Sequence, residues 1–239
     1  MELQIAVAKT NKFGSSDSGD TFEIVERSIG GMSFVLADGQ SGGSGSKAVS
    51  MMVVRKVIGL LADGVRDGTA ARAASDALFT EKNGKAAATL NILSVDLLSK
   101  TILLSRNSEC PIYIAGEESL ECLNEKSEPI GLSRNTKPII TEIPIRNGIT
   151  ILLFTDGVLH AGNNTGQQID IATTITGLFD ESDPSPQELA DALLAQAVRL
   201  DQNRPVDDIS VVALKVCPNQ TDDIRRMNIR IPFDLASIQ

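Results

Sequence analysis

Four aspartates stand where short apolar runs begin or end: Asp38 in VLADG, Asp156 in LLFTDG, Asp207 in PVDDISVVAL and Asp20 in SGDTFEIV. Carboxylates launched from strand ends can converge on one side of a sheet, and oxygen donors at this density suit hard divalent cations such as Mg²⁺ or Mn²⁺. The chemistry so implied is metal-dependent hydrolysis. Asp208 extends the set, since two adjacent like charges cost energy unless a cation or solvent compensates them. Taken singly, each Asp-Gly pair reads equally well as a turn after a strand. Taken with Asp207, the pairs favour metal binding.

Other chemistries find less support. His160 is the only histidine, which removes most zinc and Ser-His-Asp mechanisms. It lies four residues after Asp156, as a proton donor to a leaving group or as a surface side chain. Cys110, Cys122 and Cys217 are odd in number and scattered, so neither a disulfide framework nor a soft-metal site is indicated, and none has the C-x₅-R spacing of a cysteine phosphatase. DGQSGGSGSK fits neither G-x-x-x-x-G-K-[ST] nor G-x-G-x-x-G and reads as a flexible turn into a helix. Asn107 reads as a structural turn residue, and Arg106, Arg134 and Arg204 as phosphate or partner contacts or as solvated charge.

The elements that must position these acids follow from periodicity. Extended segments are expected at 3–8, 22–28, 32–37, 137–145, 149–157 and 209–216, with a meander of three strands between 86 and 116. Helices are expected from Lys47 to about Ala62, at 68–79, from Gln167 to Leu178 and at about 187–200, the last after Pro184 and Pro186. Strands at both ends and in the middle, with two helical pairs between them, predict an α+β layered sandwich. One folded unit over 1–217 and an appendage over 218–239, either a tail or a docking segment, is the expected division.

Composition bounds the partners. A formal charge of −9 over 239 residues, with no Trp and one Tyr, argues against nucleic acid as the main partner. Apolar residues make up 42% of the chain, enough for a continuous core, yet no run approaches the length of a membrane span. The start MELQIAVAKTNKFG has no signal-peptide pattern, and the expected location is the cytoplasm, with thiols reduced.

The order SGD, ADG, long helix, β-meander, TDG and DD followed by an apolar strand resembles the PPM class of metal-dependent serine/threonine protein phosphatases, within it the bacterial branch of SpoIIE, RsbU and RsbX. The resemblance runs from about Asp20 to Val216 and implies an αββα sandwich of two mainly antiparallel sheets flanked by helices. It also implies two Mn²⁺ or Mg²⁺ ions, with Asp38 bridging them, Gly39 giving its carbonyl, Asp156 and Asp207 as direct ligands, and Asp20 acting through water. Asp208 stands where many members have Asn, as a ligand of lower rank or an acceptor behind one. Asp38, Asp156 and Asp207 are therefore the expected catalytic set, acting on phosphoserine or phosphothreonine through metal-activated water. The compact form is most similar to RsbX, which implies a phosphorylated STAS-domain stressosome protein as substrate. A catalytically silent binding module and a small-molecule phosphatase on the same fold remain as alternatives.

Overall fold

The computed structural model describes residues 1–28, 30–41, 45–116, 119–218 and 224–232. Among the described residues, ten strands form two five-stranded sheets in which every pairing is antiparallel. One sheet is built from β2 (Asp20–Glu26), β3 (Met32–Gln40), β4 (Ala87–Asp96), β5 (Thr101–Asn107) and β8 (Ile139–Pro144), in that order. The other runs β1 (Glu2–Thr10), β10 (Ile209–Cys217), β9 (Thr150–Phe154), β6 (Ile112–Ala115) and β7 (Leu120–Leu123). The termini of the sandwich are thus stitched together by β1 and β10.

The strand alternation fixes three apolar layers. Phe34 and Leu36 on β3 face Ile151 and Leu153 on β9 and Val212 and Leu214 on β10, filling the space between the sheets. Val35 and Ala37 point the other way, against α1 (Ser46–Ala62) and α2 (Asp67–Lys82). Leu152, Phe154, Val211 and Ala213 face α3 (Asp156–His160), α4 (Ile171–Glu181) and α5 (Pro186–Leu200). Central strands buried on both faces read as continuous apolar runs, which is why MSFVLA and ITILLF carry no alternation in sequence. The αββα order expected from the resemblance is the order observed.

Local signals account for the helix ends. Ser185 and Glu188 form a reciprocal capping box with Pro186 in the first turn of α5, satisfying two amides that would otherwise lack partners. Asp170 caps α4 through Thr173, so this helix starts four residues later than periodicity from Gln167 indicates. Asn83 ends α2 in the left-handed conformation, donating its amide to Phe79. A buried ion pair, Arg27 to Asp67 at 2.8 Å, pins the end of β2 to the start of α2, and Ser33 and Ser94 complete its hydrogen bonds.

β7 and α3 are absent from the sequence reading. β7 is short, none of its residues is fully buried and they show no alternation, so it appears only as the partner of β6. α3 occupies the residues read as a turn after β9. Residues 224–232 form no helix or strand, and Arg225 pairs with Glu26 on the edge strand β2. Among the described residues no helix is long and apolar enough to cross a membrane.

Candidate metal centre

β3 does not stop at its aspartate. It continues through Gln40, so Asp38 sits inside the strand, with Asp20 of β2 directly across on one side and Thr89 of β4 on the other. Asp156 opens α3 at the end of β9, and Asp207 and Asp208 lie in the bend before β10. The two sheets therefore present their acids at the same end of the sandwich. Asp38, Asp156 and Asp207 line one open cavity of about 490 Å³.

The glycines after Asp38 and Asp156 have a steric reason distinct from turn formation, since neither has a positive φ. A Cβ at Gly39 would lie 2.0 Å from the Ser46 carbonyl oxygen, where α1 begins against β3. A Cβ at Gly157 would lie 2.1 Å from the carbonyl oxygen of Asp208. Each glycine lets one carboxylate-bearing segment approach another element at backbone contact, which holds the acids within reach of one another.

The five acids are not equivalent. Asp20 is buried, and one of its oxygens accepts from Thr155 Oγ1 at 2.9 Å and Ser210 Oγ at 2.6 Å, crossing from one sheet to the other. Its second oxygen, Oδ1, is buried without a protein partner. Lys9 and Lys47 approach the same residue, but their ammonium groups donate to its backbone carbonyl. Asp208 spends both oxygens on backbone amides, from Lys12 at 2.9 Å and Gly19 at 2.6 Å, and so ties the β1–β2 loop to the start of β10. Asp207 accepts from the Asp208 amide at 2.9 Å. Asp38 and Asp156 accept no hydrogen bond from another side chain among the described residues.

Electrostatics record the crowding. Burial, reinforced by Asp20, Asp156, Asp207 and Asp208, pushes the Asp38 carboxyl up to about 8. Burial also raises Asp20 to about 6, against the hydrogen bonds from Ser210 and Thr155 and the charge of Lys9 that pull it down. Asp156 is raised by burial and by Asp207, with His160 opposing. His160 Nδ1 lies 4.0 Å from Asp156, and ligand atoms of Asp156, His160 and Asp207 fall within 4.8 Å of one another. The His160 side chain is half exposed.

Of the side chains left open between site and surface, Arg106 is buried and donates to the Cys110 and Leu123 carbonyls. Asn107 lies within β5, and its amide holds the Glu128 and Lys137 carbonyls. Arg134 stacks on Phe79 and Arg204 on Phe13, outside the cavity. The hydroxyls of Thr155 and Ser210 were not among the residues singled out from sequence. Their one signal is a polar residue interrupting an apolar strand end beside an acid.

A family model for Stage II sporulation protein E (SpoIIE) matches residues 28–217, most of the sandwich. The chain belongs to the SpoIIE family. Curated SpoIIE proteins from Priestia megaterium and Bacillus subtilis (strain 168) are 20% and 19% identical over 91% of this chain. The chain spans only 37% and 26% of their lengths. Among solved structures, the PP2C phosphatase domain of SpoIIE from Bacillus subtilis with a fragment of its regulatory domain superposes with a TM-score of 0.77 at 20% identity, covering 90% of this chain and 64% of that one. The catalytic domain of the serine/threonine phosphatase PstP, in complex with two manganese ions, gives 0.70 at 17% identity, covering 90% and 99%. RsbX in complex with magnesium gives 0.67 at 15%, covering 89% and 94%. The SpoIIE-family domain therefore has the PP2C phosphatase fold.

Proposed function

We propose that this SpoIIE-family domain is a cytoplasmic, Mn²⁺- or Mg²⁺-dependent phosphatase that hydrolyses phosphoserine or phosphothreonine on a regulatory protein. The STAS-domain component of a stressosome, the substrate class implied by likeness to RsbX, is the specific candidate. The catalytic unit ends with β10 at Cys217, and residues 218–239 are an appendage to it.

One observation carries the reading: three carboxylates from three separate elements converge on one cavity, and none of them accepts a hydrogen bond from another side chain among the described residues. Residues placed so would repel one another unless a cation completed the site. The donor set fits hard dications, being all oxygen with one imidazole at the edge, and the partnerless Asp20 Oδ1 is positioned for a water or ion nearby. Asp38, between Asp20 and Asp156 in the charge network, would be shared by the ions, with the Gly39 carbonyl beside it. Asp156 and Asp207 would hold an ion directly. Asp20 acts behind them, its orientation fixed by Thr155 and Ser210. Asp208, fully hydrogen-bonded to backbone, is assigned a positioning role next to Asp207.

Two such dications, when bound, would supply a hydroxide near neutral pH and offset the charge of the phosphoryl group. The chain itself contributes the rest. Asp38, Asp156 and Asp207 fix the donor geometry, and the paired sheets keep the acids from separating. The lone His160, one helical turn after Asp156, lies at the edge of the cluster, where it can hold or release a proton.

The test is release of phosphate from a ³²P-labelled phospho-STAS protein and from p-nitrophenyl phosphate, with Mn²⁺ or with EDTA, beside Asp38→Asn and Asp156→Asn. Turnover that requires Mn²⁺ and collapses in both variants is expected. Metal-independent turnover, or full activity in both variants, would sink the proposal, and no release from the phosphoprotein alone would remove the STAS assignment.

A further inference from the structure

The acidic cavity has a second wall that the metal chemistry does not use. Its described lining contains three carboxylates and one cation, Lys85. Lys85 follows the end of α2 and precedes β4 by one residue. Ala87 and Ala88 of β4 pair with Gln40 and Gly39, so the register brings Lys85 to the same end of the sheet as Asp38. Its side chain is exposed and makes no hydrogen bond or ion pair among the described residues. The nearby Lys9 and Lys47 are already engaged with the Asp20 carbonyl.

Leu132 stands beside it in the same lining, 54% exposed. An exposed leucine on a loose loop needs no explanation, but this loop is clamped. Ile130 bridges to Ala88, Ser75 receives the Gly131 amide at 3.2 Å, and Asp76 accepts from the Asn135 amide at 2.7 Å. Gly131 has φ +97°, and a Cβ there would lie 2.4 Å from Leu78, so the loop lies flat on α2. Arg134 stacks on Phe79, the next residue of the same helix. An apolar side chain is thus held rigidly in water at the mouth of a catalytic cavity, next to an unpaired ammonium.

We propose that Lys85 and Leu132 form the wall that reads the substrate, Lys85 taking an oxygen of the phosphoryl group and Leu132 packing on an apolar side chain adjacent to the phosphorylated residue. The occupant is a phosphorylated protein segment with an apolar flanking residue. Charge complementarity between a dianion and the only described cation of the lining, and continuity of both residues with the acidic cavity, support this occupant. The inference rests on the phosphatase reading above.

The experiment uses the full chain and the variants Lys85→Ala, Lys85→Arg and Leu132→Ser. Substrates are p-nitrophenyl phosphate and two phosphoserine peptides that differ only in Leu or Ser beside the phosphoserine. Inorganic phosphate is titrated calorimetrically into the Mn²⁺-loaded protein, and Mn²⁺ into the protein alone. For Lys85→Ala, KM rises on the order of 10-fold for all three substrates and phosphate affinity falls by a similar factor, as expected for a charge-assisted hydrogen bond at a wet site. Mn²⁺ affinity stays within about twofold, and Lys85→Arg recovers most of the phosphate affinity. In Leu132→Ser the preference for the Leu-flanked peptide, roughly 5-fold in the wild type for partial burial of one side chain, falls to near one. Unchanged phosphate affinity in Lys85→Ala overturns the first assignment, and an unchanged peptide preference in Leu132→Ser overturns the second. If the wild type hydrolyses none of the three substrates the phosphatase reading falls, and calorimetric titration of phosphate and of the two peptides into the Mn²⁺-loaded wild type and variants then decides the two residues.

Discussion

Replacing Asp38 by Asn should abolish activity and yet make the metal-free protein more stable at neutral pH. In the folded state the Asp38 carboxyl is pushed up to about 8 by burial and by four neighbouring aspartates, against an ordinary value of 3.8. Unfolding therefore releases a proton throughout the window between those values. The stability that the protonated carboxyl lends is complete below about pH 4 and is lost as pH rises towards 8, by roughly 1.4 kcal/mol per pH unit at most. Between pH 4.5 and 7.5 the ceiling is about 4 kcal/mol. Partial exposure to solvent and sharing of protons among the acids reduce it to about 1–3 kcal/mol. Asparagine is nearly isosteric and never ionises, so it removes this slope while keeping the shape of the site. Urea unfolding in EDTA at pH 4.5 and 7.5 measures the difference: the variant should match the wild type at the lower pH and exceed it by about 1–3 kcal/mol at the higher. With Mn²⁺ at about 100 times its dissociation constant the wild type should regain roughly 2.7 kcal/mol, and the variant much less. A variant less stable than wild type in EDTA at pH 7.5, or one with the same pH slope, refutes the electrostatic account of the site.

Two further outcomes follow from the packing. Gly157→Ala forces a Cβ to within 2.1 Å of the Asp208 carbonyl oxygen, so α3 must shift. It should cost about 1–3 kcal/mol and weaken Mn²⁺ binding in calorimetry, because Asp156 moves with the helix; wild-type Mn²⁺ affinity would show that the close approach is dispensable. Asp67→Ala leaves the guanidinium of Arg27 buried without its carboxylate, and thermal or urea unfolding should register a loss of about 3–5 kcal/mol, most of it recovered when Arg27→Met is added. Additive losses in the double variant would mean the pair is not coupled.

The acids were legible early because their signal is local. Asp38 and Asp156 each follow an apolar run and precede a glycine, and Asp207 stands just before another apolar run, so their positions could be read without knowing the fold. Asp208 was read with them for the same reason, and here local pattern was not enough to assign a role. Its two oxygens hold the amides of Lys12 and Gly19, near the other end of the chain, and nothing beside it in sequence announces those partners. The Asp-Gly pairs show the complementary case. The dipeptides were visible, but their reason was not: the glycines relieve contact with Ser46 and Asp208 rather than bend the chain. Lys85 gave no signal at all, because a lysine after a helix C-terminus is indistinguishable from ordinary solvated charge.

The sequence by itself determined an α+β layered sandwich and the apolar strands beside which the acids stand, although β3 runs on past Asp38 to Gln40. Burial on one or two faces is imposed residue by residue, and it leaves its period in the chain. Only the tertiary structure decided which partners each acid has. Asp20 is oriented by Thr155 and Ser210, respectively 135 and 190 residues away, and its free oxygen is free because two sheets close over it. The different surroundings of the carboxylates depend on the packing of one sheet on the other, and that packing is summed from side chains remote in sequence rather than written at any one position.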